Sequence, residues 1–199
     1  TTEPGLPAEQ EGDPGAAFAN AAKVIEVCQA AQSSFATDSG EVVQAANFND
    51  PGQTVISGSK LAVDQACERL KAAGAKRTLL LPVSAPFHCP LMQPAAERLR
   101  EHLAGMALQP PTIAVINNID VAQETDPARI RDALFRQAYG PVRWVETIER
   151  MQQSGVTHVV ECGPGKVLAG MVKRISPDLQ SHALFDPATL ADTFAFLKA

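Results

Sequence analysis

Long apolar runs are missing from this 199-residue chain. No stretch approaches the roughly 20 residues that a membrane-spanning helix needs, so no membrane role is expected. The start is acidic and proline-rich, the reverse of a basic segment followed by an apolar core, and no secretory signal is read there. Paired cysteines are missing too. Cys28, Cys67, Cys89 and Cys162 are scattered without a CxxC, which argues against zinc and for free thiols in a reducing, cytoplasmic setting. Positive charge is scarce: the net charge is −5, and four of those charges are Glu3, Glu9, Glu11 and Asp13, ahead of the first basic residue, Lys23. The remainder is close to neutral, so nucleic acid is not an expected partner. His102, His158 and His182 have no ligand spacing, and Gly163-Pro164-Gly165-Lys166 lacks the GxxxxGK[ST] phosphate-loop pattern. No metal or redox cofactor is implied.

What is present reads as alternating helices and strands. Residues 1–14 form a polar tail without apolar periodicity. A helix is expected over Ala17–Gln32, then strands at Val42–Ala46 and Thr54–Ser57 around an Asp50-Pro51-Gly52 turn. Ser59 is placed to cap a helix from Lys60 to Ala73, with Leu61, Ala62, Ala66 and Leu70 as its apolar stripe and Gly74 as its stop. Lys76–Pro82 is read as a third strand. Further on, helices are expected at Pro94–Met106, after Asp126-Pro127, at Val142–Ser154 and at Lys166–Ile175. Ile113–Ile116 and Val156–Glu161 read as buried parallel strands. The order implies an α/β sheet covered on both faces. Tight backbone packing accounts for Gly163 and Gly165, although a helix start there also suits an anion such as a coenzyme phosphate.

His88 sits in Pro82-Val83-Ser84-Ala85-Pro86-Phe87-His88-Cys89-Pro90-Leu91-Met92. That puts an imidazole between two prolines, at the mouth of a strand-to-helix connection, where a general base is often held. Spacing alone leaves a structural or solvated histidine as the competing reading. Cys89 is not expected to act as a nucleophile with it, because adjacent residues of an extended loop point opposite ways.

Three further runs accompany it: Asn47-Phe48-Asn49-Asp50-Pro51-Gly52-Gln53-Thr54-Val55-Ile56-Ser57-Gly58, Leu134-Phe135-Arg136-Gln137-Ala138-Tyr139-Gly140-Pro141-Val142-Arg143-Trp144, and Val159-Val160-Glu161-Cys162-Gly163-Pro164-Gly165-Lys166-Val167-Leu168. In this order, and over about residues 40–174, they closely resemble the malonyl-CoA:acyl-carrier-protein transacylase family of bacterial fatty-acid synthesis. The resemblance implies a ferredoxin-like small domain at 15–83 and, at 84–199, the C-terminal part of an α/β-hydrolase-like parallel-sheet acyltransferase core. It implies His88 as the catalytic base and the Gln137 backbone carbonyl as the group that orients it. Asn47 and Asn49 match an Asn-x-Asn pair that sits near the substrate or one layer behind it, with shaping of the Asp-Pro-Gly turn as the alternative, and Phe87 matches a position that restricts the acyl pocket.

The family's nucleophile, a serine in a Gly-x-Ser-x-Gly elbow, has no counterpart in these residues. Nor have its malonyl-gripping arginine and its N-terminal Gly-Gln loop. The chain is therefore expected to be the carboxy-terminal portion, with the serine-bearing portion as its partner and a tendency to marginal stability or self-association when alone. The function implied is transfer of malonyl from coenzyme A to the phosphopantetheine thiol of acyl carrier protein through a seryl ester. Malonyl-CoA is then a substrate, and no cofactor is needed. Lys71, Lys76, Arg77, Lys173 and Arg174 form a candidate basic rim for the acidic carrier. Two alternatives stand beside this reading: a non-catalytic fragment that folds or binds, and a polyketide-type acyltransferase with another acyl donor.

Overall fold

A computed structural model describes residues 14–35 and 39–198, with side chains from residue 21 onward. The tail expected at 1–14 lies almost wholly outside the described residues. Four elements come first: α1 (Pro14–Gln32), β1 (Val43–Asp50), β2 (Gln53–Gly58) and α2 (Lys60–Ala72). Asp50 Oδ1 accepts from the Gly52 amide at 2.8 Å, so the turn is closed by an aspartate side chain, as Asp-Pro-Gly predicts. The antiparallel register runs from Val43 opposite Gly58 to Asp50 opposite Gln53, with irregularities at Ala45/Asn47 and Phe48/Asp50. At the first of these, β1 turns its free edge to Val142: the Val142 amide donates to Ala46 O at 2.8 Å, and the Phe48 amide to Val142 O at 3.0 Å. Only glycine fits at position 58, where a Cβ would stand 1.9 Å from Val42 O.

Both helices pack on this hairpin through small residues. Cys28 and Ala31 of α1 meet Val43, Ala62 and Ala66, and Val24, Phe35, Ile56 and Val63 close around them. Gly74, with φ +95°, ends α2: its amide bonds Lys71 O at 3.0 Å while the Ala75 amide bonds Leu70 O at 2.9 Å. Two expectations are corrected here. Ser59 stands at the N-cap position, but its hydroxyl turns to the Glu41 carboxylate and caps no helix amide. Leu61 is exposed, so the buried stripe of α2 is Ala62, Ala66 and Leu70.

The remaining elements are α3 (Gln93–Ala104), α4 (Pro127–Gln137), α5 (Trp144–Gln153), β3 (His158–Cys162), α6 (Val167–Ile175), β4 (Gln180–Leu184) and α7 (Ala188–Phe196). Asp126 caps α4, accepting from the Ala128 amide at 2.8 Å with Pro127 in the first turn. β3 and β4 pair in parallel, His158 opposite Gln180 through Cys162 opposite Leu184, with α6 as the crossover. Ile148, Val172 and Leu179 form the second core, lined by Trp144, Met151, Val156, Val159 and Ile175. An ion pair joins β1 to α6: Arg174 grips Asp50 Oδ2 through Nε at 3.0 Å.

The architecture is mixed α/β, but its sheets are smaller than expected. Among the described residues they are the pairs β1–β2 and β3–β4. Lys76–Pro82 and Ile113–Ile116 run without a ladder, and Leu79 is 64% and Ile113 79% exposed. Apolar content makes a strand only where a neighbour accepts its amides and carbonyls. Here Ile116 alone finds one, an isolated bridge to Gln123. β4 and α7 were not anticipated. Among the described residues no helix is long and apolar enough to cross a membrane.

Candidate active site around His88

The loop before α3 is built to turn a histidine outward. The Phe87 amide bonds Ala85 O at 3.0 Å, and the chain passes through His88 at φ +59°, a region L-residues rarely adopt. Cys89 follows, fully buried, with Sγ donating to Pro86 O at 3.2 Å. Pro90–Met92 then make one 3₁₀ turn into α3. The buried thiol anchors the loop on Pro86 O, while the half-buried imidazole bonds Gln137 instead.

His88 Nδ1 lies 3.1 Å from the backbone oxygen of Gln137. A carbonyl only accepts, so the proton of the neutral ring is assigned to Nδ1 and the basic lone pair to Nε2. That carbonyl is available because Gln137 ends α4, where the last carbonyls have no partner within the helix. Gln137 Nε2 donates to Pro141 O at 3.2 Å and stiffens the following loop. Gly140 allows that loop to close: a Cβ there would meet Ile119 Cδ1 at 2.4 Å.

A charged network holds α4 and this loop. Arg136 grips both carboxylate oxygens of Asp120 at 2.7 Å and reaches Asp132 through Nε at 2.7 Å. The Arg136 hydrogen bonds hold the Asp120 carboxyl below the ordinary carboxylate range, against a smaller opposing push from burial. The same bonds push the guanidinium further up. Asp120 sits in a turn made by Asn117, whose Oδ1 accepts the Asp120 amide at 2.8 Å. Arg143 closes the far side, its amide on Asn118 O at 3.0 Å and its guanidinium on Glu146.

The structure therefore brings His88 and Gln137 together. Asn47 and Asn49 lie on β1, beside Val142 and at the hairpin end, and Asn49 Nδ2 donates to Gln53 at 3.2 Å. Phe87 adjoins His88 and is 49% exposed. Gln44 escaped the sequence reading: its Nε2 donates to His88 O at 2.8 Å and reaches Tyr139 O at 3.4 Å. The available signal was a polar residue inside the apolar strand Val42-Val43-Gln44-Ala45-Ala46.

Other expectations change. The start of α6 is filled by the chain's own carboxylate, since Glu161 Oε2 accepts the Ala169 amide at 2.8 Å. Gly163 and Gly165 face open space, so tight packing does not explain them. The basic rim is thinned, because Arg174 is committed to Asp50 and Lys71 to Glu68. Among the described residues no group of three or more metal-ligating side chains occurs.

The acyl transferase domain pattern matches residues 15–189. The chain belongs to the acyl transferase domain family. It is 51% identical over 174 residues to the malonyl CoA-acyl carrier protein transacylase of Haemophilus influenzae, covering 87% of this chain and 54% of that protein. With the Bacillus subtilis protein of the same name the identity is 44% over 162 residues, 81% and 51% of the two chains. The crystal structure of the acyl-carrier-protein S-malonyltransferase from Burkholderia pseudomallei superposes with a TM-score of 0.82 at 53% identity, covering 87% of this chain and 55% of that one. A malonyl-transacylase solved with its type II polyketide acyl-carrier protein gives 0.81 at 44% identity, over 87% and 54%. The chain thus spans about half the length of the curated relatives it matches.

Proposed function

We propose that this chain is the base-bearing portion of a malonyl transferase that moves malonyl from coenzyme A to the phosphopantetheine thiol of an acyl carrier protein. The observation that carries the reading is the 3.1 Å contact between His88 Nδ1 and Gln137 O, which leaves Nε2 as the base. The names of the relatives, and the one solved with a carrier protein, supply the substrate class. The nucleophilic serine belongs to a serine-bearing portion outside these residues.

Two half-reactions follow. Nε2 takes the serine proton as the hydroxyl attacks the malonyl thioester, and the tetrahedral adduct collapses to a seryl ester. The imidazolium returns that proton to the departing coenzyme A sulfur. Nε2 next deprotonates the carrier thiol, whose sulfur attacks the seryl ester, and the proton goes back to the serine oxygen. The Gln137 carbonyl holds the ring and steadies its charged form, as an orienting group must. Asn47, Asn49 and Phe87 are assigned to the acyl side of the pocket.

In the same reading residues 15–83 are a ferredoxin-like small domain and 84–199 the C-terminal part of an α/β-hydrolase-like core. The exposed runs 79–83 and 113–115, which make no ladder, are then edges that strands of the serine-bearing portion complete.

Intact-mass spectrometry tests this. The chain is incubated with malonyl-CoA and then holo acyl carrier protein, with and without the serine-bearing segment of the Haemophilus influenzae relative. Expected are no adduct on the chain alone, transfer with both pieces, and loss of transfer in His88→Ala. Transfer that survives His88→Ala overturns the assignment of the base. A malonyl adduct on the chain alone overturns the assignment of the nucleophile to the other portion.

A further inference from the structure

We infer that Gln44 is a positioning residue for His88. Its side-chain amide locks the histidine peptide and the loop after α4 into one register, and so aims Nδ1 at the Gln137 carbonyl. The inference rests on the reading of His88 as the base.

The geometry is a closed circuit. Gln44 Nε2 donates to His88 O at 2.8 Å; His88 Nδ1 meets Gln137 O at 3.1 Å; two residues on, Tyr139 O lies 3.4 Å from the same Gln44 Nε2. A primary amide nitrogen carries two protons at a fixed angle in one plane. One nitrogen serving two carbonyls therefore fixes the spacing between the two segments those carbonyls belong to. These segments are the base loop and the loop that presents the orienting oxygen.

Two further observations make the clamp matter. His88 sits at φ +59°, a conformation that a non-glycine residue keeps only when its surroundings hold it there. The hydrogen bond to its carbonyl is such a restraint, placed on the strained peptide itself. Gln44 is also well founded. It pairs with Ser57 across the hairpin, and the next residues of β1 bond Val142, which continues from the same loop as Gln137 and Tyr139. The hairpin thus takes part in aiming the base, although it supplies no group to the proton transfers.

The expected signature is the ring tautomer. Free neutral imidazole of histidine favours the proton on Nε2, whereas the Gln137 carbonyl demands it on Nδ1. The test is a long-range ¹H–¹⁵N correlation spectrum of the full 199-residue chain with labelled histidine, on the native sequence and on Gln44→Met, which keeps the length and removes both donors. Native His88 is expected as the Nδ1–H form, and Gln44→Met as a mixture in which Nε2–H dominates, with His102, His158 and His182 unmoved. A variant in which His88 stays Nδ1–H while the other three are unmoved overturns the inference.

If the other histidines also shift, the fold has been disturbed. Gln44→Glu, close in size and still polar but without the donors, then decides by the same criterion. With the serine-bearing portion supplied, Gln44→Met is expected to lower kcat about tenfold with KM for malonyl-CoA within about twofold, because orientation and not binding is lost. The tautomer is read without turnover. Survival of activity in His88→Ala removes the base reading, and an unchanged tautomer removes the Gln44 reading, so the two failures are separate results.

Discussion

The Asp50–Arg174 pair is a polar tie between the hairpin and the second core, and its strength follows from its surroundings. Asp50 is 8% exposed and both its oxygens are used, Oδ1 by the Gly52 amide at 2.8 Å and Oδ2 by Arg174 at 3.0 Å. At 3.0 Å the attraction is about 5 kcal/mol for an effective dielectric near 20. Desolvation of the carboxylate and the ordering of a long side chain take back more than half of that. A net coupling of about 2 kcal/mol remains, within the usual range for hydrogen bonds to charged groups. The perturbation is a double-mutant cycle of Arg174→Met, Asp50→Asn and the pair, followed by urea denaturation at constant m-value. Arg174 makes other interactions as well, so its single substitution carries extra losses, which the cycle cancels. Asparagine keeps the acceptor for Gly52, so the turn survives. A coupling below about 0.5 kcal/mol would place the pair with ordinary surface ion pairs and refute this reasoning.

Other consequences are simpler to check. Ile148 is fully buried in the second core, so Ile148→Ala is expected to cost about 2–5 kcal/mol in chemical denaturation and Ile148→Val no more than about 1.5. Burial, with a smaller contribution from Cys67, pushes the Cys28 thiol up to about 11, so it stays protonated at neutral pH. Native alkylation followed by peptide mass mapping should modify exposed Cys162 first, and buried Cys28 and Cys89 only on unfolding. Asp120 is held low by Arg136, so its contribution is present above the ordinary carboxylate value of about 3.9 and is lost as pH falls through the folded value. The stability gap between the native chain and Asp120→Asn should therefore be flat from neutral pH to about pH 5 and close under stronger acid. Partial exposure keeps it to about 1 kcal/mol or less.

Local punctuation was legible in the sequence because its physics is local. Asp126-Pro127 opens α4 with the side-chain cap that the dipeptide implies, Asp50-Pro51-Gly52 folds its turn on one carboxylate, and Gly74 stops α2 in the left-handed region. Leu79-Leu80-Leu81 and Ile113–Ile116 misled, since apolar character reports a wish to be buried and not the presence of a partner edge. β4 was missed for the opposite reason: Gln180-Ser181-His182-Ala183-Leu184 has no β-branched residue, and its ladder comes from β3 alone. At the candidate site, the motifs pointed to His88 and Gln137, which the structure brings within 3.1 Å of each other. Gln44 offered only its polarity inside an apolar strand, because a side chain that bonds two distant carbonyls leaves no spacing to read.

What this half of the molecule contributes can be argued from where its parts come from. The imidazole, the carbonyl that sets its tautomer and the amide that clamps both stand at 88, 137 and 44, on three segments that meet within one chain. None of these contacts draws on the exposed apolar runs at 79–83 and 113–115. If His88 is the base, as proposed, its orientation follows from this chain's own hydrogen bonds. On the proposed function, a serine-bearing portion would then meet an imidazole whose Nδ1 already faces the Gln137 carbonyl. Any serine it carries pays for its own placement and not for that of its base. Pre-orientation of this kind is where proximity effects in acyl transfer originate. It makes the tautomer of His88 in the isolated chain a direct measure of how much of the catalytic geometry exists before the nucleophile arrives.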